Sequence, residues 1–274
     1  MVAQSPQQPQ PQTVFQHLPA ATQAFYLKAM EILDRAKVPY LVGGAYALAY
    51  YAGIVRHTKD FDVFLRKDHV KNALLAFEQQ GYRTEYTHPH WVAKAFNQGD
   101  DNPDFVDFIY GSGNGLTAVD ELWFKHAVDG ELFGRRVKLC PAEEIIWSKS
   151  FIMERNRFDG ADVAHILQAR AEKLDWQRML QRFASHERVL LAHLLLFGYA
   201  YPAECSSVPR EVLDELWRKI SSEPRNSDPV CRGTFLSWNQ YLPDIKERGY
   251  EDARLAPRGP LTAEQIARWT ATPK

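Results

Sequence analysis

The sequence predicts an α/β (α+β) domain built on a mixed sheet at residues 20–140, followed by an α-helical domain at 141–274 that ends in an irregular segment. Three observations lead there. Up to Cys140, short alternating or apolar runs such as "YLVGG", "DFDVF" and "FVDFI" are interleaved with longer stretches of helical spacing. From Pro141 onward the strand-like runs cease and helical spacing takes over. Ahead of both, residues 1–19 ("MVAQSPQQPQPQTVFQHLP") are rich in Gln and Pro and read as a disordered tail.

Taken in order, Phe25, Leu27, Met30, Ile32, Leu33 and Ala36 recur near helical spacing and predict a helix over 20–37, closed by Pro39. "YLVGG" is a buried strand running into a glycine turn, and "AYALAYYAG" a short helix stopped at Gly53. "DFDVFLR" alternates, so it is a strand. "KDHVKNALLAFEQQG" is an amphipathic helix with Gly81 at its C-terminal stop. "YRTEY" and "WVAKAFN" are two further strands. The loop "QGDDNPD" leads to a third, "FVDFIYG". "GSGNG" reads as a mobile loop and "ELFGRRVKLC" as a hairpin centred on Gly134. With Pro141 at the first helical position, "PAEEIIWSKSFIMERNRFDGADVAHILQARA" reads as helical. Helices continue over 175–222, broken near Pro202 and Pro209. Residues 223–260 look irregular before a short helix at "TAEQIARW".

Composition sets the boundaries. The chain has 274 residues, 45% hydrophobic and 24% charged, with a formal net charge of -1. A near-neutral chain does not advertise a nucleic-acid binder, so only local clustering of basic residues would signal one. Cys140, Cys205 and Cys231 form no CxxC pair and are odd in number, which argues against a disulfide framework and fits a reducing cytoplasm. No His/Cys group has zinc-ligand spacing. The longest apolar run, residues 189–201, contains His193 and falls short of the roughly 20 residues of a membrane span. The N-terminus lacks the basic and apolar regions of a signal peptide.

The chemistry gathers at "YLVGGAYALAYYAGIVRHTKDFDVFLR", residues 40–66. Asp60 and Asp62 occupy one face of a strand, roughly 6.5 Å apart at Cα. A carboxylate on a buried strand is costly unless something neutralises it. Asp107, in "FVDFIYG", would add a third if its strand lies alongside. Three close carboxylates repel one another unless divalent cations intervene. Hard oxygen ligands suit Mg²⁺, commonly held by carboxylates and substrate phosphates together. Gly43 and Gly44 join a strand end to a helix start, where free backbone N–H groups and the helix dipole can hold a phosphate. Asp104 precedes the apolar run, and its offset of three turns it away from the face of Asp107.

Gly43, Gly44, Arg56, Thr58, Asp60, Asp62 and Asp107, in this order, resemble the DNA polymerase beta-like nucleotidyltransferase superfamily. The resemblance implies a nucleotidyltransferase-like fold for the first domain. It also implies transfer of an NMP from an NTP to a hydroxyl acceptor, with two Mg²⁺ ions on Asp60, Asp62 and Asp107. A second block, "PAEEIIWSKSFIMERNRFDGADVAHIL", is similar to the helical segment of abortive-infection type nucleotidyltransferase toxins and their uncharacterised relatives. By that likeness Lys149 reaches the triphosphate, and Asp159 or Asp162 orients Lys149 or contacts the base or acceptor. Phe158 separates Arg157 from Asp159, where many relatives have Arg directly before Asp; this weakens the part assigned to Arg157. The two likenesses cover residues 25–170. Toxin-like relatives imply a tRNA end or a protein hydroxyl as acceptor, and an antitoxin partner. Another branch with the same pattern, the aminoglycoside nucleotidyltransferases, implies a small hydroxylated acceptor. A catalytically silent nucleotide-binding protein is the third alternative.

Plainer readings stand beside these. His88 and His90 read as a loop pair, and His57 as a solvated neighbour of Thr58. Trp147, Trp176 and Trp238 read as core aromatics. Arg225, Arg232, Arg248, Arg254 and Arg258 could meet RNA phosphates, but interspersed acids point to a mixed surface.

Overall fold

The computed structural model describes residues 18–56, 60–98, 103–224 and 227–271. Most of the expected N-terminal tail and part of the 98–104 loop therefore lie outside the described residues. The chain divides into two compact units. One comprises Met1–Thr87, Ala93–Ile109 and Asp120–Cys140; the other comprises His88–Val92, Tyr110–Val119 and Pro141–Lys274.

In the first unit, α1 (Ala20–Arg35) buries Phe25, Tyr26, Ala29, Met30 and Leu33 along one face. The two-residue strand β1 (Leu41–Val42) runs directly into α2 (Gly44–Ala52). Gly53 ends α2 in the left-handed region, φ 70°, and its N–H bonds Ala49 O at 2.9 Å. A side chain there would be strained, which is why the helix stops at a glycine. β2 (Asp60–Phe64) follows, then α3 (Val70–Glu78), β3 (Arg83–His88), β4 (Val92–Phe96) and β5 (Phe105–Ile109). α4 (Glu121–Lys125) is capped by Asp120, whose carboxylate accepts from Leu122 N–H at 3.0 Å. β6 (Val128–Leu132) and β7 (Arg135–Leu139) close the unit as a hairpin. Its two turn residues, Phe133 and Gly134, both have positive φ, the backbone that matches the twist of a two-residue hairpin.

These strands form one seven-stranded sheet in the order β3-β4-β5-β2-β1-β7-β6. β2 runs parallel to β5 and β1 parallel to β7, while β1–β2 and β6–β7 are antiparallel, so the sheet is mixed. Strand alternation decides what faces where. Phe61, Val63, Val106 and Phe108 are fully buried on one face, where Tyr26 of α1 stacks on Phe61 and Phe77 of α3 meets Phe108 edge-on. Each such aromatic contributes roughly 2–3 kcal/mol by leaving water. The same alternation turns Asp60, Asp62 and Asp107 to the opposite, half-buried side.

The second unit is mainly helical: α5 (Ala142–Lys149), α6 (Gly160–Arg170), α7 (Trp176–Arg182), α8 (Glu187–Ala200) and α9 (Arg210–Ser222). Pro141 is the N-cap of α5, one residue earlier than the spacing suggests. The helix expected to run unbroken from Pro141 is interrupted. β8 (Met153–Glu154) and β9 (Arg157–Phe158) form a small hairpin between α5 and α6. Asp159 N–H then bonds Ile152 O at 3.1 Å, which folds the chain back on itself. After α9 come β10 (Val230–Cys231), α10 (Leu242–Lys246), β11 (Glu251–Asp252) and α11 (Ala263–Ala271), with β10 and β11 paired in parallel. Among the described residues, no helix is long and apolar enough to cross a membrane.

The "GSGNG" loop, expected to be mobile, is packed. Asn114 is buried and donates to Phe235 O at 2.8 Å, while its side-chain oxygen accepts from Ser112 Oγ and Leu116 N–H. A Cβ on Gly113 would fall 2.6 Å from the Trp269 ring, so the backbone is pressed against that indole. The partners that fix this loop lie more than a hundred residues away in sequence, beyond the reach of local pattern.

Candidate functional site

Parallel pairing of β2 with β5 sets Asp62 directly opposite Asp107, and Asp60 lies two residues along on the same face. One carboxylate oxygen from each of the three falls within 4.8 Å of the others. An octahedral shell with bonds of about 2.1 Å spans about 4.2 Å across, so small side-chain rotations would let all three reach one hard cation. The donor set, oxygen only and half-buried, fits Mg²⁺ better than a softer metal.

Gly44 completes this corner. Its φ is +53°, and a Cβ built on it would land 1.7 Å from Asp62 Oδ2. The backbone at the start of α2 is thus in contact with the carboxylate, and glycine is required for both reasons. Gly43 is equally confined, with Phe64 and Cys140 Sγ against the space a side chain would need. Its N–H, expected to be free for a phosphate, bonds Asp62 O at 3.0 Å instead and extends the β1–β2 pairing. No side chain caps α2, and the N–H groups of Gly44 and Ala45 have no intrahelical acceptor.

Lys94 belongs to none of the motifs in the sequence. Asn97 N–H bonds Asp104 O, and Tyr110 N–H bonds Trp91 O, which brackets β4 against β5 so that Lys94 meets Asp107. Lys94 Nζ lies 2.9 Å from Asp107 Oδ1 and 3.6 Å from the centre of the Phe105 ring. That oxygen is buried, and the ammonium beside it forms an ion pair. Burial raises the Asp107 carboxyl; Lys94 opposes the shift, Asp60 reinforces it, and the group stays above the ordinary carboxylate value. The signal in the sequence was a lone lysine on the half-buried face of "WVAKAF", legible only once β4 was known to border β5. Asp104 is engaged elsewhere, accepting from Thr22 Oγ1 at 2.7 Å.

Arg56 is exposed after α2, and Thr58, with His57, lies outside the described residues. A second cluster belongs to the other unit. Lys149 Nζ is 2.8 Å from both Asp159 Oδ2 and Asp162 Oδ2, and Arg157 adds two hydrogen bonds of 3.0 Å to Asp159. The β8–β9 hairpin makes this possible. On a continuous helix, at about 1.5 Å per residue, Asp159 would lie roughly 15 Å from Lys149. Burial disfavours the Lys149 ammonium, but its two carboxylates outweigh that and raise its pKa. Burial likewise pushes Asp159 up, and Arg157 together with Lys149 brings it below the usual carboxylate value.

Four arginines of the irregular C-terminal segment have internal partners. Arg254 is buried against Asp252, Arg248 pairs with Asp244, Arg258 with Glu251 and Asp228, and Arg232 donates to Ser185 O. Arg225 lies outside the described residues. Trp147 is buried, while Trp176 and Trp238 are half-buried. His88 stacks on Trp91, and His90 approaches Gly113 O at 3.1 Å.

No protein-family model matches the chain, and no curated protein is significantly similar to it. Among solved structures, the antibiotic-resistance factor ANT(2'')-Ia is 18% identical, over 64% of this chain and 98% of its own, with a TM-score of 0.45. The lincosamide antibiotic adenylyltransferase LnuA, in its lincomycin-bound form, is 14% identical over 54% of this chain and 96% of its own, TM-score 0.39. An antigenic nucleotidyltransferase-like protein from Paracoccidioides brasiliensis is 17% identical over 68% of this chain and 91% of its own, TM-score 0.44. These structural neighbours are nucleotidyltransferases or nucleotidyltransferase-like proteins. Scores of 0.39 to 0.45 decide nothing by themselves, and the functional case stands on the side chains.

Proposed function

We propose that the chain is a metal-dependent nucleotidyltransferase, moving an NMP from an NTP to a hydroxyl acceptor and releasing pyrophosphate. The observation that carries this reading is the convergence of Asp60, Asp62 and Asp107 beside the glycine start of α2. Asp60, Asp62 and Asp107 would hold divalent cations, two Mg²⁺ by the sequence resemblance. When bound, such ions neutralise triphosphate charge and acidify an attacking hydroxyl.

The rest falls to the chain itself. Gly44 and Ala45 N–H groups, at the positive end of α2, receive a phosphate. Asp107, as a ligand on the acceptor side, would help to activate the acceptor hydroxyl. Lys149, oriented by Asp159 and Asp162, offsets charge on the β- and γ-phosphates, and Arg56 and Thr58 contact the nucleotide; these assignments follow the motif resemblance.

The acceptor is a tRNA end or a protein hydroxyl, with an antitoxin partner belonging to that branch. One observation favours a second reading, a small hydroxylated acceptor: four C-terminal arginines already have partners within the chain. A polyanion needs a continuous face of available cations. Incubating purified protein with Mg²⁺ and each α-³²P-labelled NTP, and offering total RNA, total protein or small hydroxylated molecules, tests both. Label that moves to one acceptor class, and is lost in Asp60→Ala/Asp62→Ala, supports the reading and names the acceptor. NTP binding without transfer to any class would leave a silent nucleotide-binding protein.

A further inference from the structure

Lys94 has no part in any motif, yet it sits where a divalent cation would act. Its ammonium is 2.9 Å from Asp107 Oδ1, and the two side chains are 21% and 15% exposed. Asp60 and Asp62 on β2 crowd the same carboxylate. A metal-free cluster of this kind needs positive charge from within the chain. Lysine also has somewhere to go. Its four-carbon stem is flexible, and Nζ already lies over the face of Phe105, which attracts a cation independently of the carboxylate.

We propose that Lys94 is a tethered counter-ion: it holds Asp107 in place in the metal-free protein and yields Oδ1 to an incoming divalent cation. Lys94 is then a positioning residue that acts through Asp107 and competes with the metal. This rests on the metal-site reading above. An ammonium and a divalent cation cannot both sit at bonding distance from one carboxylate oxygen without strong repulsion, so loading displaces the lysine. The protein thereby keeps its fold without metal, at some loss of affinity for it.

The test uses the full chain, Mn²⁺ as the probe, and Lys94→Met and Lys94→Arg beside the wild type. Calorimetric titration should show Lys94→Met binding Mn²⁺ about three- to tenfold more tightly. The same variant should unfold at a lower temperature than the wild type in EDTA, with the gap closing as Mn²⁺ is added. Lys94→Arg, whose planar fork can pair bidentately, should match the wild type in EDTA and bind Mn²⁺ no better. If Lys94→Met does not fold, Lys94→Gln, uncharged and similar in length, carries the same comparison. Unchanged or weaker Mn²⁺ affinity, with a stability loss that metal does not repair, would make Lys94 a plain structural partner and overturn the inference while the metal site stands. Failure of both wild type and variant to bind Mn²⁺ would overturn the metal-site reading, and this inference with it.

Discussion

Asp62 and Asp107 lie directly opposite each other on the parallel strands β2 and β5. Like charges facing across a sheet destabilise it, so this row is a cost to the fold. Relieving it should stabilise the protein. In EDTA, Asp62→Asn should raise the free energy of unfolding by about 0.5–1 kcal/mol, while nucleotide transfer falls about a hundredfold or more. Urea denaturation and the label-transfer assay measure the two. Loss of both together would make Asp62 a structural residue instead.

Gly44 carries two burdens, its positive φ and its contact with Asp62. Gly44→Ala should therefore cost about 2–4 kcal/mol, more than the roughly 1 kcal/mol expected of a turn glycine alone. Gly134→Ala is the control, since it shares the positive φ but has open space around it. Equal losses at the two positions would mean that the Asp62 contact relaxes at no cost.

Lys149→Met leaves Asp159 and Asp162 buried without their shared cation, and should cost about 3–5 kcal/mol near neutral pH. The pH dependence follows from the shifts. Asp159 is lowered from 3.8, so its contribution is present above that unfolded value and is lost as pH falls through the folded one. Lys149 is raised from 10.5, so its contribution is present below that value and is lost only as pH rises through the folded one. The difference between wild type and variant should therefore be flat from about pH 5 to 9 and shrink below about pH 4. Denaturant midpoints across pH would show it, and a difference that grows toward acid would contradict the pairing.

The packed "GSGNG" loop gives a readout of motion. Amides of residues 112–117 should exchange slowly with deuterium, and Asn114→Ala, which removes the bond to Phe235 O, should cost about 1–3 kcal/mol and speed that exchange. Fast exchange in the wild type would return the loop to the mobile reading.

Where local chemistry sets the structure, the sequence was enough. Alternation placed Phe61 and Val63 inward and Asp60 and Asp62 outward, and glycines marked the end of α2 and the β6–β7 turn. What local pattern could not carry were features made by distant partners. Lys94 mattered only once β4 lay beside β5. Gly43 lost its free N–H to a strand it meets through β-pairing. The hairpin of β8 and β9 is only two residues per strand, too short for a period to register against the flanking helices. Its consequence, the return of Asp159 to Lys149, was therefore invisible as geometry.

The parallel pairing of β2 with β5 also sets an order of events. Between those strands the chain must first lay down α3, β3 and β4, so the pairing closes a long loop and comes late relative to local helices and hairpins. Asp107 reaches Asp60 and Asp62 only at that step. A nascent or partly folded chain therefore carries the aspartates without their arrangement. Under the proposed metal-site reading, the ability to grip a cation arrives with the closing of the sheet, and metal uptake would be a readout of completed folding.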